Sequence, residues 1–184
     1  IAYGVTHLDC AAAYGEAEAR LGQIVNRDYQ SQVTTVTKLA PLTELPENAS
    51  DQEIRTSVEA SVYKSCCKLS MPVLPYLLLH RWQHKTSHEG RIWERIKQFQ
   101  QEGVIRNIGA SIQNPEEALQ AIADPDVKFI QLPFNLLDRR FQRSGFSEEA
   151  KNREDVIIQV RSVLLQGLLV SPMEIWPEIA GISA

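Results

Sequence analysis

Residues 7–22, with the sequence HLDCAAAYGEAEARLG, join the end of an apolar segment to the beginning of a helix. The apolar segment GVTHLD ends at Asp9, and four small or thiol-bearing residues separate this acid from Tyr14. Residues 16–25 then have the pattern of a helix. The stretch therefore predicts a strand that ends at Asp9, with an acid and a tyrosine close together where the strand passes into a helix.

Strand and helix patterns alternate along the rest of the chain. Short, β-branched apolar runs predict six strands, which end at or near Asp9, Lys38, His80, Ser111, Leu132 and Ser162. Longer amphipathic segments predict helices over residues 16–25, 50–68, 90–101, 115–123 and 146–152. In the second helix, Ser50 and Glu53 match a capping box. Near-continuous apolar strands separated by helices indicate an α/β fold, with a parallel sheet covered on both faces.

Two α/β architectures fit this alternation, a doubly wound open sheet and a (β/α)8 TIM barrel. A doubly wound nucleotide-binding sheet has a glycine-rich loop after its first strand. Residues 11–22 contain Gly15 and Gly22 but no G-x-G-x-x-G spacing. Four strands instead end in residues capable of proton chemistry, namely Asp9, Lys38, His80 and Ser111. Because side chains from several strand ends converge at the mouth of a barrel, we predict a (β/α)8 barrel.

Composition is that of an ordinary globular domain, and we predict one domain over residues 1–184. The 184 residues are 43% hydrophobic and 23% charged, with a formal net charge of −4. No block of basic residues favours nucleic-acid binding, and no apolar run is long enough to span a membrane. The three cysteines fit a reducing compartment, so we expect a cytoplasmic protein. The sequence begins with Ile1, and we expect it to be a piece of a longer chain.

The set of Asp9, Tyr14, Lys38 and His80 suits general acid catalysis on a carbonyl group. A tyrosine is a weak acid, with an ordinary pKa of about 10, and a nearby ammonium favours its phenolate form. A carboxylate beside the lysine would hold the ammonium in place, and a histidine can orient a carbonyl or share the proton. The set therefore predicts that Tyr14 protonates a carbonyl oxygen as hydride reaches the carbon.

Each of these residues also has a simpler interpretation when it is considered alone. Asp9 could begin a turn, and Tyr14 could be an aromatic packed at the entry to the helix. Lys38 could be solvated after its strand, and His80 could be a hydrogen-bonded histidine at a strand end. Four such residues at four matching positions favour the joint interpretation.

A metal site is a further alternative for the histidines. His80, His84 and His88 are spaced by four residues, which would align them on one helix. His80 ends a strand, however, and the residues that follow have the pattern of a loop, so we predict no metal site. Trp82, in the same segment, either packs against a helix or reaches the substrate at the mouth.

The stretch GVTHLDCAAAYGEAEARLG resembles the signature segment of the aldo-keto reductases, which has D-x4-Y-G followed by a helix of E-x-x-L-G character. VTTVTK resembles the lysine strand of that family, and YLLLHRW resembles its histidine strand. GVIRNIGAS, FIQLPFNLLDRR and VRSVLLQGLL resemble three later strands in the same order. The resemblance covers nearly the whole chain.

This resemblance implies an NAD(P)H-dependent oxidoreductase that reduces an aldehyde or ketone, a small-molecule carbonyl substrate. Tyr14 would be the general acid, Lys38 and Asp9 would tune it, and His80 would orient the carbonyl. The cofactor is expected to be NADP, with NAD as the second choice. The implied cofactor-binding residues are Ser111, Gln131, Arg161, Ser162, Leu164 and Gly167.

Two positions depart from the pattern of the family. Ile112 stands where many members have an asparagine that contacts the nicotinamide amide. Arg161 stands where many members stack a tyrosine on the nicotinamide ring, and a planar guanidinium can also stack. These departures leave open the alternative that the protein is a non-catalytic module, which binds a cofactor or a partner protein for regulation.

The resemblance also implies an incomplete barrel of about six β/α units. The family has eight strands, and we expect the first and the last to be missing from these 184 residues. A truncated barrel without a ligand is a third interpretation. The residues that would select the carbonyl substrate, and NADP over NAD, are expected outside the sequence, and the oligomeric state is left open.

Overall fold

A computed structural model of the chain describes residues 4–25 and 32–176. Its six strands are β1 (His7–Asp9), β2 (Thr34–Lys38), β3 (Leu74–Leu79), β4 (Ile105–Ser111), β5 (Val127–Pro133) and β6 (Ile157–Arg161). They form one sheet in chain order, and every neighbouring pair is parallel. Residue 1 and residues 177–184, which bear on the expectation of a longer chain, lie outside the described residues.

Helices connect the strands, and five of the six that the structure describes match predicted helices. They are α1 (Ala17–Ile24), α2 (Asp51–Leu69), α3 (Arg91–Gln101), α4 (Pro115–Ala123), α5 (Arg140–Arg143) and α6 (Phe146–Lys151). Short 3₁₀ helices, which the sequence patterns did not predict, cover Trp82–Lys85, Ser87–Gly90, Leu165–Val170 and Met173–Ile175. A parallel strand followed by a helix is the repeating unit of the predicted barrel.

The capping box predicted at the start of α2 is confirmed. The backbone N–H of Glu53 donates to the Ser50 hydroxyl at 3.3 Å, and the Glu53 carboxylate accepts the backbone N–H of Ser50 at 2.8 Å. At the other end, Ser70 adopts a left-handed conformation that closes the helix. Two backbone groups that the helix start would leave unpaired are therefore satisfied locally.

Alternate residues of each strand face two different apolar layers. The larger layer lies between the sheet and the helices and includes Ile54, Phe99 and Ile130. The smaller cluster consists of Val36, Leu78 and Phe129, with the partly buried Tyr76 and Ile157 packed against it. Because β2, β3, β5 and β6 all contribute to the smaller cluster, the sheet must curl around it, as an incomplete (β/α)8 barrel does. The predicted fold class is confirmed.

Two glycines allow backbone segments to approach more closely than a side chain would permit. A Cβ on Gly22 of α1 would lie 2.4 Å from the carbonyl oxygen of Lys68 at the end of α2. A Cβ on Gly109 of β4 would lie 2.1 Å from the carbonyl oxygen of Phe129 on β5. Neither distance is compatible with any residue larger than glycine unless the backbone shifts. These contacts fix the packing of α1 against α2 and of β4 against β5.

Candidate active site

The carboxyl ends of β1, β2 and β3 bring the predicted catalytic residues together. Asp9 ends β1, Lys38 ends β2, and His80 follows β3 directly. The Lys38 ammonium donates to Asp9 Oδ1 at 2.7 Å and to the carbonyl oxygen of Cys10 at 2.9 Å. Since the strands are parallel neighbours, their ends lie on one edge of the sheet, and residues distant in sequence become neighbours there.

Lys38 is not a solvated residue, because only 1% of its surface is exposed. A buried ammonium is costly unless it is paired and hydrogen-bonded. The carboxylate of Asp9 and the Cys10 carbonyl meet that requirement, while the Asp9 side chain itself keeps 32% exposure. The site therefore holds a fixed, buried positive charge beside a carboxylate that water can reach.

Tyr14 lies in the turn between β1 and α1, above this ion pair. The turn is held by a hydrogen bond from the Tyr14 N–H to the Ala11 carbonyl at 3.0 Å. Lys38 Nζ lies 5.0 Å from the centre of the tyrosine ring, and the ring meets that of His80 edge-on at 6.2 Å between centroids. With 48% of its surface exposed, Tyr14 is not a packed core aromatic. A small molecule entering the mouth can therefore reach it.

The surroundings of His80 favour its neutral imidazole form. Burial lowers its pKa, and the positive charges of Lys38, Arg81 and Arg161 lower it further against the opposing effect of Asp9. Among the described residues, no group hydrogen-bonds its buried Nδ1 atom. A neutral ring has one donor and one acceptor nitrogen, so His80 can direct a hydrogen bond at a carbonyl oxygen without carrying charge.

The residues predicted at the nicotinamide amide lie on the next two strands along the sheet. Ser111 on β4 and Gln131 on β5 are paired in register, and both side chains are buried. Gln131 Nε2 donates to Asp9 Oδ1 at 2.9 Å and to Gln159 Oε1 at 2.7 Å. Sequence patterns did not single out Gln159, because an isolated glutamine in the strand DVIIQVRSV carries no distinguishing signal.

Arg161 ends β6 and turns toward β4. Its Nη2 atom donates to the carbonyl oxygen of Ile112 at 3.3 Å and to Gln113 Oε1 at 2.9 Å. Both acceptors are uncharged, and no carboxylate of the described residues forms an ion pair with Arg161. The two departures from the family pattern, Ile112 and Arg161, are thus in direct contact with each other.

The loop after β6 has an unusual backbone. Ser162, Leu165, Gln166 and Gly167 all have positive φ, at 60°, 47°, 56° and 95°. The N–H of Leu165 bonds to the Ser162 carbonyl at 3.1 Å, and the N–H of Gly167 bonds to the Leu164 carbonyl at 2.9 Å. These two N–H groups are therefore used within the loop, whose exposed Leu164 side chain lies at the same sheet edge as the other predicted cofactor residues.

The donor set at this edge fits a nicotinamide cofactor. The protein supplies a hydroxyl from Ser111 on β4, amide groups from β5 and β6, and the guanidinium of Arg161 on β6. These groups lie at the same sheet edge as the Tyr14 and His80 rings. A primary carboxamide needs both donors and acceptors. The Ser111 hydroxyl can supply either, and the Gln131 amide oxygen can accept a hydrogen bond. The loop from Ser162 to Gly167 follows directly from the strand that carries Gln159 and Arg161.

The three histidines after β3 are not arranged as metal ligands. Residues 82–85 and 87–90 are separate 3₁₀ turns, and His88 has a left-handed φ of 51°, so the three histidines do not align on one helix. No group of three or more histidine, cysteine or acidic side chains in the described ranges is placed to hold a metal ion. Burial lowers the pKa of the His84 ring, as it does for His80.

Trp82 packs outside the barrel and does not reach the mouth. Only 6% of its surface is exposed, and its ring nitrogen donates to Gln120 Oε1 on α4 at 2.7 Å. The ammonium of Lys85 lies 4.9 Å above the ring and forms an ion pair with Asp124. Of the two interpretations of Trp82, packing against a helix is therefore correct.

The sequence matches the aldo/keto reductase family over residues 1–175. This match covers most of the 184 residues, so the chain belongs to the aldo/keto reductase family. Members of the family generally catalyse NAD(P)H-dependent reduction of carbonyl compounds. Among the residues the structure describes, no helix combines the length and the apolar character needed to cross a lipid bilayer.

The chain is also similar to individual proteins of known sequence or structure. The NADH-specific methylglyoxal reductase of Escherichia coli (strain K12) is 26% identical, over 90% of this chain and 54% of that protein. The holo form of aldo-keto reductase AKR11C1 from Bacillus halodurans has a TM-score of 0.72 at 22% identity, covering 98% of this chain and 59% of that one. A thermostable aldo-keto reductase, Tm1743 bound to the inhibitor epalrestat, has a TM-score of 0.72 at 22% identity, with 94% and 60% covered. The chain spans about half of the length of the curated relative.

Proposed function

We propose that the protein containing this chain reduces an aldehyde or ketone to an alcohol with a nicotinamide cofactor, using Tyr14 as the general acid. The observation that carries the proposal is the buried Lys38 ammonium, held 2.7 Å from Asp9 Oδ1 and 5.0 Å from the centre of the exposed Tyr14 ring. A fixed positive charge beside an accessible phenol is the arrangement that proton donation by a tyrosine needs.

The cofactor, when bound, supplies a hydride to the carbonyl carbon. Tyr14 gives its phenolic proton to the carbonyl oxygen, so the product is a neutral alcohol and no free alkoxide has to form. The Lys38 ammonium stabilises the phenolate that remains, and Asp9 keeps that ammonium charged and in place. Afterwards a proton from solvent restores the phenol, which is accessible from the mouth.

His80 has a separate role in this proposal. Its ring lies edge-on to Tyr14 at 6.2 Å between centroids, so both side chains border the same space. Because burial and nearby cations keep the ring neutral by lowering its pKa, it can donate one hydrogen bond to the carbonyl oxygen. That bond would orient the substrate without competing for the tyrosine proton.

The cofactor and substrate proposals are guided by the relatives. Either NADP or NAD is compatible with the residues at the strand ends, and the E. coli relative is an NADH-specific methylglyoxal reductase. We propose a small carbonyl compound as the substrate and methylglyoxal as its first test. We also propose that residues 1–184 belong to a single barrel domain. We further propose a cytoplasmic location, which is consistent with the three free thiols.

The test combines cofactor binding with turnover in the whole protein that contains this chain. NADH and NADPH binding is measured by fluorescence titration, and oxidation of the tighter-binding cofactor is then followed with methylglyoxal and simple aldehydes. The proposal expects binding and carbonyl-dependent oxidation. Tight binding without turnover of any carbonyl compound would favour the regulatory module, and failure to bind either cofactor would contradict both functions.

A further inference from the structure

One nitrogen atom of Gln131 links the proposed catalytic ion pair, on β1 and β2, to Gln159 on β6 at the other edge of the sheet. Its Nε2 atom lies 2.9 Å from Asp9 Oδ1 and 2.7 Å from Gln159 Oε1. A side-chain amide nitrogen carries two hydrogens, so each acceptor receives one. Asp9 Oδ1 also accepts the Lys38 ammonium at 2.7 Å. One hydrogen-bonded chain therefore runs from β6 through β5 to β1 and β2.

The exposure of Asp9 shows what the hydrogen bond from Gln131 does for the ion pair. Lys38 is almost completely buried, whereas the Asp9 side chain is 32% exposed. Water therefore competes for the carboxylate, and a carboxylate held only by Lys38 is free to turn toward solvent. The second donor, Gln131, holds the same Oδ1 atom over the ammonium. A buried ammonium that loses its counter-ion is strongly destabilised.

Gln159 fixes the amide of Gln131 in turn. A single acceptor holds an amide group at one point and leaves it free to rotate about that bond. Acceptors on both hydrogens, Asp9 and Gln159, define the plane of the amide and keep its nitrogen directed at Asp9. Because Gln131 is only 2% exposed, water has little access to replace the missing acceptor if Gln159 is removed.

We propose that Gln159 is a positioning residue for the reaction, acting through Gln131 on the Asp9–Lys38 ion pair. This inference rests on the proposed function, because Gln159 would act on the ion pair that supports the general acid, Tyr14. Gln159 itself touches neither Tyr14 nor Lys38 in the hydrogen bonds of the described residues. Its effect therefore has to pass through the Gln131 amide.

The kinetic test replaces Gln159 in the whole protein by residues of similar length. Gln159→Met removes the acceptor, and we expect kcat to fall about tenfold, the factor that corresponds to one hydrogen bond of ordinary strength. Gln159→Glu keeps an acceptor oxygen, and we expect it to recover part of that loss. In a Gln131→Leu background, Gln159→Met should have no further effect on kcat.

A matched control separates positioning from stability. Gln120 Oε1 also accepts one N–H at 2.7 Å, from Trp82, but on the outer side of the sheet. Gln120→Met should lower the unfolding temperature and leave kcat unchanged. Equal effects of Gln159→Met and Gln120→Met on kcat would overturn the proposal, as would a kcat for Gln159→Met within twofold of the wild type.

A spectroscopic readout is independent of turnover. In the cofactor-free protein, the two side-chain amide protons of Gln131 are both hydrogen-bonded, so both NMR resonances should lie downfield. Gln159→Met should move one of them upfield and speed its exchange with water. Unchanged Gln131 resonances would overturn the proposal. A wild-type protein without turnover would instead contradict the proposed function, while these resonances would still show whether Gln159 holds the Gln131 amide.

Discussion

Lys38 illustrates how far the chemistry of a single residue depends on its surroundings. In sequence, a lysine after an apolar strand is as compatible with solvent as with a buried site. In the structure the Asp9 carboxylate, the Cys10 carbonyl and the Tyr14 ring surround its ammonium. Its position at a strand end could be predicted, and so could its association with Asp9. Its burial could not, since that depends on the turn that carries Tyr14 across it.

Gln159 and Gln131 mark the limit of prediction from sequence at the residue scale. Gln131 could be assigned to the site from the family resemblance, whereas its hydrogen bonds to Asp9 and Gln159 could not. Those bonds join residues 122 and 28 positions apart in the chain. The bond to Gln159 follows from the register of β5 and β6, and the bond to Asp9 follows from the curl of the sheet. No local pattern in the sequence encodes either one.

The pH dependence of stability is predicted from His80 and His84. Burial lowers the pKa of both rings below the ordinary 6.5, and the charge of Lys38 adds to the effect at His80. Below that value the unfolded chain binds more protons than the folded protein. The free energy of unfolding should therefore fall as the pH is lowered from about 6.5 and stay nearly constant above it, as far as these groups are concerned.

Urea unfolding at a series of pH values measures this dependence. Replacing both His80 and His84 by glutamine removes the two groups, so the fall below pH 6.5 should become shallower. A double variant with the slope of the wild type would show that other groups control acid stability.

At the scale of single elements, short-range sequence signals were the most informative. The capping box at Ser50 and Glu53 could be predicted from the sequence, and the structure has it. The 3₁₀ turns after β3 and β6 were not predicted. Their conformations include His88 and Gln166, which are residue types that seldom adopt a left-handed conformation, so no local pattern signals them.

The N-cap of α2 gives a prediction about stability. Ser50→Ala removes the hydroxyl that accepts the Glu53 N–H, and this should lower the free energy of unfolding by about 1 kcal/mol. Urea unfolding at neutral pH measures the change. Lys64→Ala, at an exposed position of the same helix, is the matched control and should change stability by less than about 0.5 kcal/mol. Equal effects of the two substitutions would contradict a role for the cap.

Gly109 gives a second prediction at this scale. A methyl group at this position would lie 2.1 Å from the Phe129 carbonyl oxygen, so β4 and β5 could not keep their spacing. Gly109→Ala should therefore lower the free energy of unfolding by about 3 kcal/mol, at the upper end of the usual cost of overpacking. Arg106→Ala, at an exposed position of the same strand, should have little effect in the same thermal or urea unfolding experiment. A stable Gly109→Ala protein would show that the two strands can separate locally.

For the molecule as a whole, the order and direction of all six strands could be predicted, because right-handed β/α units leave few alternatives. The barrel was favoured over the open sheet by the polar residues at the strand ends. The curl that confirms it comes from the packing of Val36, Leu78 and Phe129 inside the sheet. Which residues lie in that inner cluster depends on strand register and could not be read from apolar runs without clear alternation.

Strand pairing predicts a gradient of local stability across the sheet. β3 and β4 have a hydrogen-bonded strand on each side, whereas β1 and β6 each have one such neighbour among the strands that the structure describes. Backbone amides in β3 and β4 should therefore exchange with solvent more slowly, by about a hundredfold or more. Hydrogen exchange followed by mass spectrometry measures this difference. Uniform protection of all six strands in the 184-residue chain on its own would contradict the prediction.

The most direct test of the account is the effect of Tyr14→Phe on turnover by the whole protein that contains this chain. Without the phenolic proton, the rate of cofactor oxidation with methylglyoxal should fall by about 10²–10⁴-fold, while NADH or NADPH binding and the unfolding temperature remain unchanged. Tyr63→Phe, at a tyrosine of similar exposure on α2, should keep full activity. A Tyr14→Phe protein that reduces methylglyoxal at the wild-type rate would contradict the central claim that Tyr14 is the general acid.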